Sequence, residues 1–194
     1  MDTRRETDMT EITKARILII ATHGFEQSEL EVPRDKLRDA GAQVHVASPD
    51  GNGIKGWDGD GWGRMAEVDL RIEDADSTQY DALVLPGGQI NPDILRLDPA
   101  AIALIQAFRD RDRPVAAICH APWLLIEAGL VAGREVTSWP SLRTDLANAG
   151  AQVVDVPVAR DRGLITSRNP DDLDAFVAAI IEEVEKGQIR ADAA

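Results

Sequence analysis

The single cysteine of the chain, Cys119, stands directly before His120 in the run V-A-A-I-C-H-A-P-W-L-L, from Val115 to Leu125. A thiol beside an imidazole can support nucleophilic chemistry. The thiolate is the attacking species, and histidine can take or give a proton near neutral pH. Small and apolar residues precede the pair, and a proline and a further apolar run follow it. The pattern predicts a buried strand, a sharp turn at Cys119, then a helix, a layout that resembles a nucleophile elbow. A sulfur at a helix start lies near the positive end of the macrodipole and near free N–H groups, which favour a thiolate. The plain alternative is a buried, inert thiol, which is what most single cysteines are.

Other groups can converge on that sulfur. Gly87-Gly88 closes the apolar run D-A-L-V-L-P. Glycines let backbone N–H groups approach a carbonyl closely, so Gly87 and Gly88 could form an oxyanion hole with the His120 N–H; otherwise they are a flexible turn. Glu26, Glu29 and Glu31 follow the first apolar run. Acids in a first helical turn are favourable in any case, and Glu31 is read that way. A carboxyl at Glu26 or Glu29 could approach Cys119. An ionised acid there would raise both pKa values, whereas a protonated acid would donate to the thiolate, so the pair would titrate as a unit. His23, in the first β–α loop, could line the same pocket, and His45 reads as a packed or surface strand residue. With no ligand-spaced motif, no metal site is expected, and no cofactor. Among the four tryptophans, Trp57, Trp62, Trp123 and Trp139, core or interface packing is expected for at least two. Trp123, one turn into the helix after Cys119, is expected to narrow the pocket.

The elements that must position these residues alternate strand and helix. Strands are expected at Ala15–Ala21, Gln43–Ser48, Asp81–Pro86, the run into Cys119, Glu135–Ser138, Val153–Val158 and Gly163–Ser167. Helices are expected from Glu26 to Ala40 with Pro33 in its first turn, at Asn91–Leu97, from Pro99 to about Arg111, at Ala121–Ala128, at Leu142–Ala149, and from the Asn169-Pro170-Asp171-Asp172 cap to about Lys186. The glycine-rich stretch from Pro49 to Gly63 reads as a loop or hairpin. The alternation implies an α/β fold: one domain, residues 14–187, with a mostly parallel central sheet covered by helices on both faces. Residues 1–13 read as a flexible arm and 188–194 as a tail.

Composition narrows the function classes. The chain has 194 residues and a formal net charge of −13. So acidic a balance argues against nucleic acid or an anionic membrane as partner. One cysteine cannot form an internal disulfide. The N-terminus lacks the apolar region of a secretory signal, and no apolar run is long enough to span a bilayer, so a cytoplasmic location is expected.

Several segments, in order, resemble the PfpI-type intracellular protease family, within the superfamily that includes the parkinsonism-associated deglycase and the general stress proteins. They are G-F-E-Q-S-E-L-E-V-P, Y-D-A-L-V-L-P-G-G, P-V-A-A-I-C-H-A-P-W-L-L-I, A-G-L-V-A-G-R-E-V-T-S and I-T-S-R-N-P-D-D-L. The resemblance implies a flavodoxin-like sandwich with Cys119 as nucleophile, His120 as its partner and Glu29 as the carboxyl beside the thiol. It also implies a homodimer or higher homo-oligomer, in which Asp93 of a neighbouring subunit completes a triad. Here that acid sits on a loop one residue longer than the pattern. Ala121 replaces a common glycine and Trp123 a smaller residue, and both are expected to crowd the pocket. The resemblance leaves two chemistries open on a small carbonyl substrate or a peptide. One is peptide hydrolysis through an acyl-enzyme; the other is glyoxalase or deglycase action on methylglyoxal-type aldehydes or their adducts. A non-enzymatic redox sensor or chaperone, working through oxidation of Cys119, is the rival class.

Overall fold

The computed structural model describes residues 11–187. Its centre is β1 (Arg16–Ile20), whose Ile17, Leu18, Ile19 and Ile20 are all fully buried. A strand covered on both faces carries a continuous apolar run, and alternate side chains leave on opposite sides. Ile17 and Ile19 accordingly join one core cluster with Leu30, Phe176 and Ile180, while Leu18 and Ile20 join another with Ile105, Phe108 and Leu124.

The chain continues through α1 (Gln27–Asp39), β2 (Gln43–Ser48), the hairpin β3 (Ile54–Asp58) and β4 (Gly61–Ala66), and the short β5 (Leu70–Arg71). Then come β6 (Ala82–Leu85), α2 (Ile90–Leu95), α3 (Pro99–Asp110), β7 (Val115–Ile118) and α4 (Pro122–Glu127). The last third holds β8 (Glu135–Val136), α5 (Arg143–Asn148), β9 (Gln152–Val153), β10 (Val158–Asp161), β11 (Leu164–Ser167) and α6 (Leu173–Lys186). The main sheet has the order β10-β11-β7-β6-β1-β2-β5. Every neighbouring pair is parallel except β10 with β11. From β1 the chain moves to β2 on one side; β6 lies on the other side of β1 and leads away to β7. The winding therefore reverses between β1 and β6, the point at which open α/β sheets leave a crevice beyond their carboxyl ends.

The expected single α/β domain with a mostly parallel sheet is what the chain forms, and three local expectations need correction. Pro33 is not in the first turn of α1 but in its interior. It lacks the N–H that would have bonded the Glu29 carbonyl, and the burial of Leu30, Pro33 and Leu37 on one face holds the helix together despite that loss. The strand expected over Val153–Val158 is two strands in different sheets: β9 pairs with β8, and β10 forms a hairpin with β11. Residues 11–13 are not arm, because Ile12 begins a single 3-10 turn and packs into the core. Residues 1–10 of the expected arm, and the tail 188–194, lie outside the described residues. No tryptophan is a core residue; Trp123 packs at the margin of one cluster, and Trp62 and Trp139 are exposed.

The start of α3 follows its sequence signal. Asp98 is the N-cap, its Oδ1 accepts the Ala100 N–H at 2.9 Å, and Pro99 occupies the first position. Asp98→Ala should destabilise the fold by about 1 kcal/mol, a fall in Tm of about 2–4 °C for a chain of this size, and leave the alkylation rate of Cys119 unchanged. Thermal unfolding and iodoacetamide labelling check both halves.

Candidate active site

Cys119 occupies the turn between β7 and α4 with φ of 62°. A left-handed backbone at a residue bearing a Cβ costs about 1–2 kcal/mol, so neighbouring contacts must hold it. The Cys119 N–H donates to the Ser167 carbonyl at the end of β11, and the Cys119 carbonyl accepts the Trp139 N–H, both at 3.0 Å. Pro122 at the first position of α4 fixes the exit. So held, the side chain is only 6% exposed. Its Sγ lies 3.1 Å from His120 Nδ1. The backbone N–H groups of Gly88 and His120 also reach the sulfur and favour its thiolate.

Glu29 comes from the first turn of α1, beyond the carboxyl end of β1, and is fully buried. Its Oε2 accepts the Gly87 N–H at 2.8 Å. Oε1 is buried without a hydrogen bond of good geometry, on a carboxyl that faces the Cys119 thiol. Burial is the main reason its pKa is pushed from 4.5 up to about 8, against the opposing influence of the thiol and of Gly87. Burial also pushes the Cys119 thiol up, and a Glu29 anion pushes it further. The two groups therefore titrate as a pair, and a proton on the carboxyl decides how they meet. With that proton on Glu29 the repulsion disappears, the carboxyl can donate to sulfur, and the Gly88 and His120 N–H groups remain to hold the thiolate.

Gly87 is where the strand ends meet. A Cβ there would lie 2.6 Å from Glu29 Oε2, 2.7 Å from the Ile118 carbonyl and 2.8 Å from Cys119 Cβ. Gly88 has φ of 78°, and a Cβ on it would come within 2.5 Å of the Glu26 nitrogen. Asn91, which sequence reading passed over, fixes this junction. Its Oδ1 accepts the Thr22 N–H at 2.8 Å, and its Nδ2 donates to the Pro86 and Gly87 carbonyls at 2.8 and 3.2 Å. The side chain is completely buried. The Asn-Pro dipeptide after the glycines was its only signal, and that reads equally as a helix start.

His120 is flanked by two indoles. Trp123 meets it edge-on, with ring centres 5.4 Å apart, and Trp139 stacks on it at 5.7 Å with 25° between planes. Burial lowers the pKa of the imidazole, so it is neutral near pH 7. Trp123 is itself anchored by its Nε1–H to Asp145 at 3.0 Å and lies under the Arg96 guanidinium. Trp139, expected only to pack, therefore forms the second wall.

The remaining candidates separate. Glu26 caps α1 half-buried, its carboxyl pushed up by burial and by Asp58, and its N–H donates to the Gly87 carbonyl at 3.3 Å. His23 is exposed, and its Nδ1 accepts the Lys55 N–H at 2.9 Å. It ties the hairpin to the first loop, and no contact joins it to Cys119. Asp93 is exposed on α2, with no hydrogen bond or ion pair among the described residues, so nothing within one chain brings it to His120. Ala121 does not crowd the exit: it is fully buried in the core cluster with Leu124 and Leu125, because its φ of −57° turns it into the helix. Among the described residues no group of three or more His, Cys, Asp or Glu is placed to hold a metal ion.

A buried thiol on a strained turn, a buried acid from the neighbouring strand end and a Gly-Gly junction between them are now in place. Residues 15–183 match the DJ-1/PfpI family. The chain belongs to that family. It is 38% identical over 167 residues to deglycase TK1284 of Thermococcus kodakarensis, covering 86% of this chain and 98% of that one. With general stress protein 18 of Bacillus subtilis it shares 40% identity over 174 residues, 88% and 98% of the two chains. The crystal structure of Drosophila melanogaster DJ-1beta superposes with a TM-score of 0.81 at 30% identity, covering 89% of this chain and 91% of that one. The family match spans the sheet, the elbow and both indoles around His120.

Folded Glu29 keeps its proton up to about 8 against an ordinary 4.5, so the folded state binds more protons between those values. The contribution of its neutral form is fully present below 4.5 and is lost as pH rises through about 8. Glu29→Gln keeps an acceptor for Gly87 and a donor for sulfur but cannot ionise. Its stability relative to wild type should rise across that window, by on the order of 1–4 kcal/mol, measured by urea unfolding at stepped pH. Glu29→Ala leaves the Gly87 N–H unpaired and should cost about 1–3 kcal/mol. It should also slow Cys119 alkylation at neutral pH, whereas Glu29→Gln should not.

Proposed function

We propose that this protein is a Cys119-dependent enzyme acting on small carbonyl compounds, α-oxoaldehydes or the adducts they form. The observation that carries the reading is the enclosure of the reactive pair. The thiol is 6% exposed and its histidine lies between two indole rings. A peptide must lay chain on both sides of its scissile bond, whereas an aldehyde of a few atoms needs only the space above the sulfur. The relationship to a protein named a deglycase supports the same choice over peptide hydrolysis.

In the proposed reaction Sγ adds to the aldehyde carbon, and the carbonyl electron pair moves to oxygen, which takes the Glu29 proton. The Gly88 and His120 N–H groups that reach the sulfur lie beside the developing oxyanion. Neutral His120 removes the hydrogen of the former aldehyde carbon as a proton and returns it to the adjacent carbon, while the hydroxyl proton passes from the first oxygen to the second. That carbon is reduced as the first is oxidised, giving a thioester of a 2-hydroxy acid. Water then cleaves the thioester, releasing the acid and restoring the thiol. No outside oxidant or reductant takes part.

A homo-oligomer belongs to the same proposal. Asp93 shares α2 with the exposed Ile90 and Ile94, and the exposed Leu97 follows the helix, an apolar patch that a second copy would cover, bringing an acid with it.

Wild-type protein incubated with methylglyoxal should form lactate, and Cys119→Ala should form none, while a fluorogenic peptide panel stays uncleaved by both. Peptide cleavage without lactate would reverse the assignment. Trp139→Ala should raise kcat/KM for phenylglyoxal relative to methylglyoxal by about threefold or more, since removing a pocket wall shifts discrimination by size.

A further inference from the structure

A cavity lies at the pole of the sheet opposite Cys119. It has a volume of about 130 Å³ and opens between the amino ends of β7 and β11 and the carboxyl end of α6. Cys119 follows the last residue of β7, and Val115, the first, lines this cavity. The two places are therefore at opposite ends of one strand.

Its chemistry is unlike the rest of this acidic chain. Four guanidinium side chains line it, Arg109, Arg113, Arg134 and Arg162. Arg134 and Arg162 are tied to Asp161 and to nearby carbonyls, and Arg109 pairs with Asp110. Arg113 differs. One terminal nitrogen pairs with Asp81 at 3.3 Å, but its Nε–H is buried with no hydrogen-bond partner among the described residues. The wall also carries Glu183, only 5% exposed and without a hydrogen bond or ion pair among the described residues. Val115, Leu130 and Leu164 supply an apolar floor. Buried polar groups are ordinarily paired, and here an arginine with an unpaired buried Nε–H and a largely buried glutamate line the same small space.

The backbone is unusual at the same place. Three non-glycine residues among those described have positive φ: Cys119, Asp112 at 53° and Arg162 at 45°. The first carries the reactive thiol, and the other two both line this cavity. Strained backbone of this kind concentrates where a site is held in shape.

We propose that this cavity binds a small carboxylic acid that also carries an amino or hydroxyl donor. Its carboxylate sits on the guanidinium of Arg113, its donor faces Glu183, and its short aliphatic body lies on the apolar floor. A guanidinium presents donors in a fixed fork that suits a carboxylate. The site is independent of the reaction at Cys119.

The test is titration calorimetry on full-length protein with Cys119 alkylated, which removes the reactive site as a competing locus. Alanine, lactate and propionate serve as probes, so the arms distinguish an amino donor, a hydroxyl donor and none. Alanine or lactate should bind saturably and roughly tenfold tighter than propionate. Arg113→Gln should weaken that binding by about tenfold or more, and Glu183→Gln should narrow the gap between the favoured acid and propionate. Because Arg113 also pairs with Asp81, Arg113→Lys is the second variant; it keeps the charge, loses the fork and should still bind more weakly than wild type. Matching thermal unfolding and Cys119 alkylation rates establish that each variant is folded. Saturable binding by none of the three acids overturns the proposal. So does equal binding of alanine, lactate and propionate, or wild-type affinity in a folded Arg113 variant.

Discussion

The site depends on two facing titratable groups, each of which burial holds toward its neutral form. Glu29 and Cys119 approach in a space closed to water, so at most one of them can be charged without severe repulsion. A neutral Glu29 removes the repulsion and can donate to sulfur, where the Gly88 and His120 N–H groups favour negative charge. This requirement sets the surrounding geometry. Gly87 must lack a Cβ, because that atom would fall on the carboxylate oxygen and on the cysteine at once. Its N–H must be free to orient Oε2, and so its loop is fixed by Asn91 rather than by the regular ladder of the sheet.

The sheet supplies the rest by topology. Three neighbouring strands, β1, β6 and β7, end at one edge, and each contributes one part: acid, glycine junction and thiol. Register keeps them level, with Ile19 beside Val84 and Leu85 beside Ala117. The strained cysteine backbone is then held from the fourth strand, through the Ser167 carbonyl. The two cores on either side of the sheet make these strand ends rigid, and full burial of a large apolar side chain such as Phe108 or Phe176 is worth about 1.5–3 kcal/mol.

Much of this was legible in the chain because it is written in local pattern. The apolar runs through Ile17–Ile20 and Val115–Ile118 announce buried strands, and Cys119 and Gly87-Gly88 stand at the ends of such runs. What was not legible is long-range. Asn91 and Thr22 are 69 residues apart in sequence, and nothing about an Asn-Pro pair reveals a clamp on two other loops. Trp139 reaches His120 from a loop after a two-residue strand too short to show alternation. The place of His23 is illegible for the same reason, since its partner, the Lys55 backbone, lies in a hairpin whose packing over the first loop has no local signature. Ala121 was expected to crowd the pocket because the resemblance puts glycine there, yet it is buried in the core cluster with Leu124 and Leu125.

Pro33 gives the buried acid a particular mechanical setting. It removes the helical bond that would have fallen on the Glu29 carbonyl, so the first turn of α1 is coupled to the remainder of the helix more loosely than an unbroken ladder would allow. The carboxyl then takes its position from the glycine junction, not from the helix axis. Small shifts of the distal turns, from length changes in the following loop or from repacking against α6, are absorbed at the missing bond before they reach the thiol. The approach of Glu29 to Cys119 is in this way insulated from drift in the outer layer that covers it.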